Sequence, residues 1–159
     1  MSDSGNDTSP PQKSFKQKLV SWLPYIAIPL VAYFANVEIQ SYLGEKALQG
    51  ITLPQHTLEG AIELAAKQDK LVLANMSAIW CPSCRRLDQN VLSQPEVKKA
   101  IEERFVFSRI EYESDAGETF MTKYGVSGFP TILVLDSQGN KLRQLPITFS
   151  AEQFIQLLK

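Results

Sequence analysis

The stretch Trp80-Cys81-Pro82-Ser83-Cys84 contains both cysteines of this 159-residue chain. A disulfide between Cys81 and Cys84 closes so small a loop that it removes little entropy from the unfolded chain, so it stabilises poorly. Small secreted domains that depend on disulfides instead carry several pairs of cysteines spread along the chain. The spacing therefore favours redox chemistry over a structural bridge or an incidental surface pair.

The residues around this stretch predict a strand followed by a helix. The apolar run 71–76 is typical of a buried strand, and residues 85–91 continue as a helix. Cys81 is then expected at a helix N-terminus, where free N–H groups and the helix dipole stabilise a thiolate. We expect Cys81 to attack as the nucleophile and Cys84, one turn later, to resolve the mixed disulfide.

The immediate neighbours of the cysteines suit the same role. Pro82 lies near the helix start, where its missing N–H costs nothing, and Trp80 is expected to shield one flank. A zinc site would need further ligands beyond the two cysteines, and His56 is the one histidine in the chain. We therefore predict no metal site and no other cofactor.

Helices and strands alternate after residue 56. Helices are predicted at 57–68, 93–104, 116–124 and 150–159, and strands at 105–112, 131–135 and 141–145. Ser93 is the expected N-cap of its helix, Gly125 is expected to end the following one, and Ser150 is expected to cap the last. The order α-β-α-α-β-α-β-β-α, without an internal repeat, predicts an α/β domain over residues 57–159.

An apolar segment precedes this predicted domain. Residues 19–35 carry no charged side chain and are long enough for one helical crossing of a bilayer core. A cleaved signal peptide would have a shorter apolar core and a small-x-small site, which Tyr33-Phe34-Ala35 lacks. A buried helix of a soluble domain fits less well, because no amphipathic period is visible. We predict an uncleaved transmembrane anchor at residues 19–37.

Lysines indicate which side of the membrane each end occupies. Lys13, Lys16 and Lys18 lie in the polar stretch 1–18, which we predict to be a disordered cytoplasmic tail. The domain would then face the periplasm from a single-pass anchor in the inner membrane, or another extracytoplasmic space that permits disulfide chemistry. Residues 38–56 are predicted to be a linker with some helical character.

The charge balance excludes one class of partner. The chain has 16 Lys and Arg against 17 Asp and Glu, for a net charge of −1. Nucleic-acid binding normally requires a strongly basic surface. No nucleic-acid partner is therefore expected.

A second motif, Gly128-Phe129-Pro130-Thr131, stands at the start of the predicted strand 131–135. Together with Trp80-Cys81-Pro82-Ser83-Cys84 and the element order, it resembles the thioredoxin superfamily over residues 57–159. The resemblance implies a thioredoxin-like fold with a central mixed β-sheet flanked by helices. It also implies that Pro130 is a cis-proline beside the active-site disulfide.

The same resemblance implies a surface that binds the substrate chain around the cysteines. Thr131 would help present backbone to a bound substrate. The residues expected on this surface are Trp80, Pro82, Phe129, Pro130 and Thr131.

Residues 81–97 resemble one particular group within the superfamily. The run from Cys81 to Asp88, followed by residues 91–97, is similar to the C-terminal thioredoxin-like domain of the transmembrane reductase DsbD. That similarity implies a reductase or electron relay acting on a protein disulfide or dithiol, served by a membrane electron donor or acceptor. A thioredoxin-fold binding module or assembly chaperone without redox turnover is the alternative, and the intact cysteine pair and Pro130 argue against it.

Two positions depart from the superfamily pattern. Thioredoxins carry a buried aspartate on the strand before the cysteines, where this chain has Asn75, which cannot act as a base. Arg109, on the following strand, falls near the family's buried lysine. The resemblance therefore leaves proton transfer from Cys84 to water or to another group.

Overall fold

The computed structural model describes residues 15–159, with side chains described from Trp22 onward. Its elements, in chain order, are α1 (Phe15–Gln49), α2 (Leu58–Gln68), β1 (Leu71–Ser77), α3 (Pro82–Leu87), a π-helical turn (Asp88–Leu92), α4 (Pro95–Arg104), β2 (Phe105–Glu111), α5 (Asp115–Tyr124), β3 (Thr131–Leu135), β4 (Lys141–Leu145) and α6 (Ala151–Leu157). The element order predicted for residues 57–159 is confirmed.

The four strands form one mixed sheet in the order β2-β1-β3-β4. β1 pairs in parallel with β2 and antiparallel with β3, and β3 pairs antiparallel with β4. Ser77 at the end of β1 is opposite Glu111 at the end of β2, and Met76 is opposite Thr131 at the start of β3. Because of this register, the segments that follow β1 and β2 and the segment that precedes β3 lie at the same end of the sheet.

Alternation along the strands divides the core between the two faces of the sheet. Leu73 faces a cluster that includes the π-helical turn, α4 and α6, whereas Val72 faces a cluster that includes α2 and α5. Phe154 anchors the first cluster and Phe120 the second, and both are fully buried. The predicted α/β architecture, with helices on both faces of a mixed sheet, is confirmed.

The helix ends follow the local signals with one exception. Ser150 Oγ accepts a hydrogen bond from the backbone N–H of Gln153, and Gly125 ends α5 in the left-handed conformation at φ 64°, both as predicted. Ser93, however, is not the N-cap of α4; Gln94 takes that position with extended backbone. A residue before proline is restricted to extended conformations, so Pro95 moves the start of the helix by one residue.

Helix α1 is longer than the predicted anchor. It begins at Phe15, inside the stretch predicted to be a disordered tail, and residues 1–14 of that tail lie outside the described residues. Large apolar side chains between Trp22 and Phe34 are exposed. Within the described part of the chain, α1 is the one helix long and apolar enough to cross a membrane.

The segment predicted to be a linker, residues 38–56, instead belongs to the folded domain. The chain divides into two compact units between Asn36 and Val37. In the second unit, α1 continues to Gln49, and the side chains of Ala47, Ile51 and Leu53 are buried. Burial of these apolar side chains offsets the entropy cost of ordering the segment, which the linker prediction did not take into account.

Candidate active site

Cys81 and Cys84 form a disulfide at the N-terminus of α3, with their Cα atoms 5.2 Å apart. Cys81 is the N-cap residue, and its Sγ accepts a hydrogen bond from the backbone N–H of Cys84 at 3.1 Å. The Ser83 hydroxyl lies 3.2 Å from the same sulfur. The predicted placement of Cys81 at a helix N-terminus is confirmed. These two polar groups, with the helix dipole, favour negative charge on that sulfur in the reduced protein.

Phe129 brings the second sequence motif against the cysteines. Its ring packs edge-on against Trp80 at 5.4 Å between centroids and in a tilted arrangement against Tyr112 at 4.8 Å. All three aromatic side chains pack around the cluster of Ala78, Cys81 and Cys84. Tyr112 follows β2 directly, and the sequence carried no motif that singled it out.

The peptide bond between Phe129 and Pro130 is cis, and Pro130 is half-buried. Thr131, at the start of β3, donates a hydrogen bond from Oγ1 to the carbonyl of Gly128 at 2.7 Å, which holds the turn together. Pro82 is exposed. Because β3 pairs antiparallel with β1, the two distant motifs lie at the same end of the sheet.

A buried ionic cluster lies at the same end of the sheet, where β1 and β2 end. The Arg109 guanidinium donates from Nη1 to both carboxylate oxygens of Asp88 at 3.1 Å and from Nη2 to Ser77 Oγ at 2.8 Å. A second carboxylate, Glu111, lies 3.8 Å from Arg109 Nε. The side chains of Arg109 and Asp88 are only 6% and 2% exposed, so this pair is shielded from water.

Asn75 occupies the position of the missing aspartate and does not join this cluster. It is fully buried on β1 opposite Arg109, and among the described side chains and backbone neither polar atom of its amide has a hydrogen-bond partner. The expectation that Asn75 cannot serve as a base stands on its chemistry, because an amide does not take up protons near neutral pH.

The two carboxyl groups of the cluster are the candidates for handling a proton. Burial raises the pKa of Asp88 above its ordinary value, and the neighbouring Arg109 offsets only part of that rise. Burial likewise raises the pKa of Glu111. The Arg109 guanidinium and the hydrogen bond that the Ile79 N–H donates to Glu111 oppose that rise. A carboxyl with a raised pKa exchanges protons more readily near neutral pH.

Asp88 and Glu111 were not predicted as site residues from the sequence, although Asp88 lies in the run that resembles DsbD. The sequence signal for Asp88 is its spacing, because a residue four positions after Cys84 lies on the same face of a helix. In the structure, the Asp88 N–H donates to the Cys84 carbonyl. Glu111 carried no comparable signal, because only the pairing of β1 with β2 brings its carboxylate to Ile79.

His56 lies away from the cysteines, at the outer edge of β2, where its backbone bridges to Ser108. Among residues 15–159, no group of three or more histidine, cysteine, aspartate or glutamate side chains is arranged to hold a metal ion.

A family model described as a thioredoxin-like domain matches residues 58–159. The chain therefore belongs to the thioredoxin-like family. It is 28% identical over 131 residues to the thiol:disulfide interchange protein DsbD of Pseudomonas fluorescens, a match that covers 80% of this chain and 22% of that protein. The chain thus spans about a fifth of the length of that relative.

Solved structures support the same class. The oxidised C-terminal domain of Neisseria meningitidis DsbD shares 29% identity at a TM-score of 0.53, covering 65% of this chain and 95% of that domain. A thioredoxin from Thermus thermophilus superimposes at a TM-score of 0.61 with 24% identity, over 67% of this chain and 85% of that one, which shows the common fold. The fold and the cysteine pair are therefore those of a thioredoxin-like protein, and DsbD proteins are among the relatives that this chain resembles.

Proposed function

We propose that this protein reduces, or relays electrons to, disulfides of extracytoplasmic protein partners through Cys81 and Cys84. The observation that carries the proposal is the position of Cys81 Sγ, which accepts the N–H of Cys84 at the start of α3. The similarity to DsbD, a thiol:disulfide interchange protein, supports the proposal.

The exchange proceeds in two balanced steps. The Cys81 thiolate attacks one sulfur of the partner's disulfide, forming a mixed disulfide and releasing the other partner sulfur as a thiolate. Cys84 then loses its proton and attacks Cys81 Sγ, which releases the second partner thiol and leaves the Cys81–Cys84 disulfide. Two electrons have passed to the partner, so a separate protein dithiol must reduce the pair again before the next cycle.

Asp88 and Glu111 are the acceptors we assign to the Cys84 proton in place of the missing aspartate. Asp88 lies one helical turn after Cys84 on the same face, and the pKa of each carboxyl is raised by burial. Trp80, Pro82, Phe129, Pro130 and Thr131 are the residues we assign to the surface that receives the partner chain.

The anchor and its orientation complete the proposal. Residues 19–37 would cross the inner membrane once, with the lysines at 13, 16 and 18 on the cytoplasmic side and the domain in the periplasm. A membrane protein that supplies or accepts electrons is then the expected redox partner.

Trapping of partners tests the exchange itself. In Cys84→Ala the first step proceeds but the second cannot, so disulfide-linked complexes through Cys81 are expected on non-reducing gels of cell membranes. Cys81→Ala is the matched control and should trap none. Equal binding of partners by the wild type and the Cys81→Ala/Cys84→Ala double variant, without trapping by Cys84→Ala, would instead favour a binding module.

The direction of exchange is tested by the reduction potential of the Cys81–Cys84 couple. A reductase is expected to lie near thioredoxin's value of about −270 mV, whereas a value near DsbA's, about −120 mV, would identify an oxidant. Equilibration with defined ratios of reduced and oxidised glutathione or dithiothreitol gives this potential.

A further inference from the structure

The last turns of α1 contact the chain on both sides of the cysteine pair. Gly44 packs against the backbone of Ile79, two residues before Cys81. Gln40 accepts a hydrogen bond through Oε1 from Arg85 Nη1 at 2.6 Å, immediately after Cys84. One turn of α1 thus contacts the loop that enters α3 and the first turn of α3 itself.

The contact at Gly44 requires a glycine for reasons of space. A Cβ atom at this position would overlap the carbonyl oxygen and carbon of Ile79. Both are backbone atoms, which cannot rotate away as the end of a long side chain can. Any larger residue at position 44 must therefore separate α1 from the loop or move the loop.

The loop that meets Gly44 is held on its other side as well. The N–H of Ile79 donates to the Glu111 carboxylate, and the N–H of Cys81 donates to the Ala78 carbonyl at 3.0 Å. The backbone of Ile79 therefore lies between Glu111, which binds its N–H, and Gly44, which packs against its carbonyl. Its position sets where the chain enters α3.

The contact at Gln40 acts on the following turn. Arg85 donates its backbone N–H to the Cys81 carbonyl at 3.0 Å, as part of the same first turn in which the Cys84 N–H bonds to Cys81 Sγ. Holding the Arg85 side chain on Gln40 fixes this turn against α1.

We propose that Gln40 and Gly44 are positioning residues for the redox pair: they hold residues 79–85 in the arrangement that bonds the Cys84 N–H to Cys81 Sγ and so sustain the reactivity of Cys81. This role deepens the proposed function and rests on it. It gives the segment from Gln40 to Gly44, which lies within the predicted linker, a role in positioning the cysteine pair.

The test measures the rate at which iodoacetamide alkylates Cys81 in the reduced full-length protein at pH 7, in detergent micelles, with the site identified by mass spectrometry. Displacing the loop weakens the hydrogen bond to Cys81 Sγ, so Gly44→Ala is expected to slow alkylation about tenfold. Gly50→Ala is the matched control at the end of the same helix, where the nearest atom to a new Cβ is the Ala47 carbonyl oxygen at 3.3 Å. Its rate should equal that of the wild type.

A second pair of variants covers the case in which Gly44→Ala does not fold. Gln40→Ala removes the acceptor for Arg85 and is expected to slow alkylation about threefold, whereas Gln40→Glu keeps an acceptor and restores the rate. Near-ultraviolet circular dichroism confirms that each variant is folded. Wild-type rates in folded Gly44→Ala or in Gln40→Ala would overturn the proposal, as would a Gln40→Glu rate no higher than that of Gln40→Ala.

Alkylation involves no protein partner, so its outcome is separate from that of the proposed function. If Cys84→Ala traps no partner, the proposed exchange fails, but the rates of Cys81 alkylation still report on positioning. If the rates are unchanged while trapping succeeds, only the positioning role fails.

Discussion

Replacing Arg109 by methionine leaves the buried carboxylate of Asp88 without its ionic partner. Asp88 is 2% exposed, and Arg109 makes both of the hydrogen bonds that its carboxylate accepts in the described structure. Arg109, by contrast, also contacts Ser77 and Glu111. The two substitutions therefore differ. Removing Arg109 leaves the Asp88 carboxylate without its hydrogen-bond donor, whereas removing Asp88 leaves Arg109 with its contacts to Ser77 and Glu111.

The magnitude follows from that difference. Removing one partner of a buried ion pair costs about 3–5 kcal/mol, and we expect about 3 kcal/mol for Arg109→Met at pH 8 because Asp88 can take a proton instead. For a domain of this size the melting temperature should fall by about 12 °C. Asp88→Asn should change stability by only about 1 kcal/mol, because Arg109 keeps its other two contacts and the raised pKa of Asp88 means that the fold tolerates a neutral side chain there.

The stability deficit of Arg109→Met depends on pH, and the pKa of Asp88 sets the direction of that dependence. Asp88 already has a raised pKa, and removing Arg109 removes the influence that lowers it, so the pKa rises further. The folded state then binds this proton at a higher pH than the unfolded chain does, and stability is gained as pH falls through the folded pKa. The deficit of Arg109→Met should therefore shrink to about 1 kcal/mol by pH 5, which is the residual cost of the lost Ser77 hydrogen bond.

Urea unfolding of the oxidised full-length protein in detergent micelles, followed by near-ultraviolet circular dichroism between pH 5 and pH 8, measures these differences. The control is the double variant Asp88→Asn/Arg109→Met, which leaves no buried carboxylate at residue 88 and should be about 2 kcal/mol more stable than Arg109→Met at pH 8. A deficit that does not vary with pH, or a double variant less stable than Arg109→Met, would refute the reasoning.

Two further substitutions test the packing and capping that support the sheet, by the same unfolding measurement. Phe120→Ala empties a fully buried site in α5 and should cost about 4 kcal/mol, whereas Thr122→Ala on the exposed side of that helix should cost less than about 0.5 kcal/mol. Thr57→Ala removes the hydroxyl that accepts the Gly60 N–H at the start of α2 and should cost about 1 kcal/mol, and Thr57→Ser should recover most of it. Equal losses within either pair would contradict the assigned contacts.

Local signals in the sequence predicted most elements of the domain. Hydrophobic periodicity located the helices and strands, and the capping residues Ser150 and Gly125 act as expected because their effects are confined to one helical turn. The Ser93 prediction was wrong by one residue, because the restriction that Pro95 places on Gln94 outweighs the capping preference of serine.

The sequence by itself determined the redox pair and its place at a helix N-terminus, since five adjacent residues and the strand before them carry that information. It also determined the apolar character of α1, because composition alone decides whether a helix can enter a bilayer. Only the tertiary structure decided that residues 40–44 contact the active-site loop and that Arg109 joins Asp88, Ser77 and Glu111 in one buried cluster. Those contacts join residues as many as 45 positions apart. They depend on strand register and on how closely two backbones approach, which no local pattern encodes.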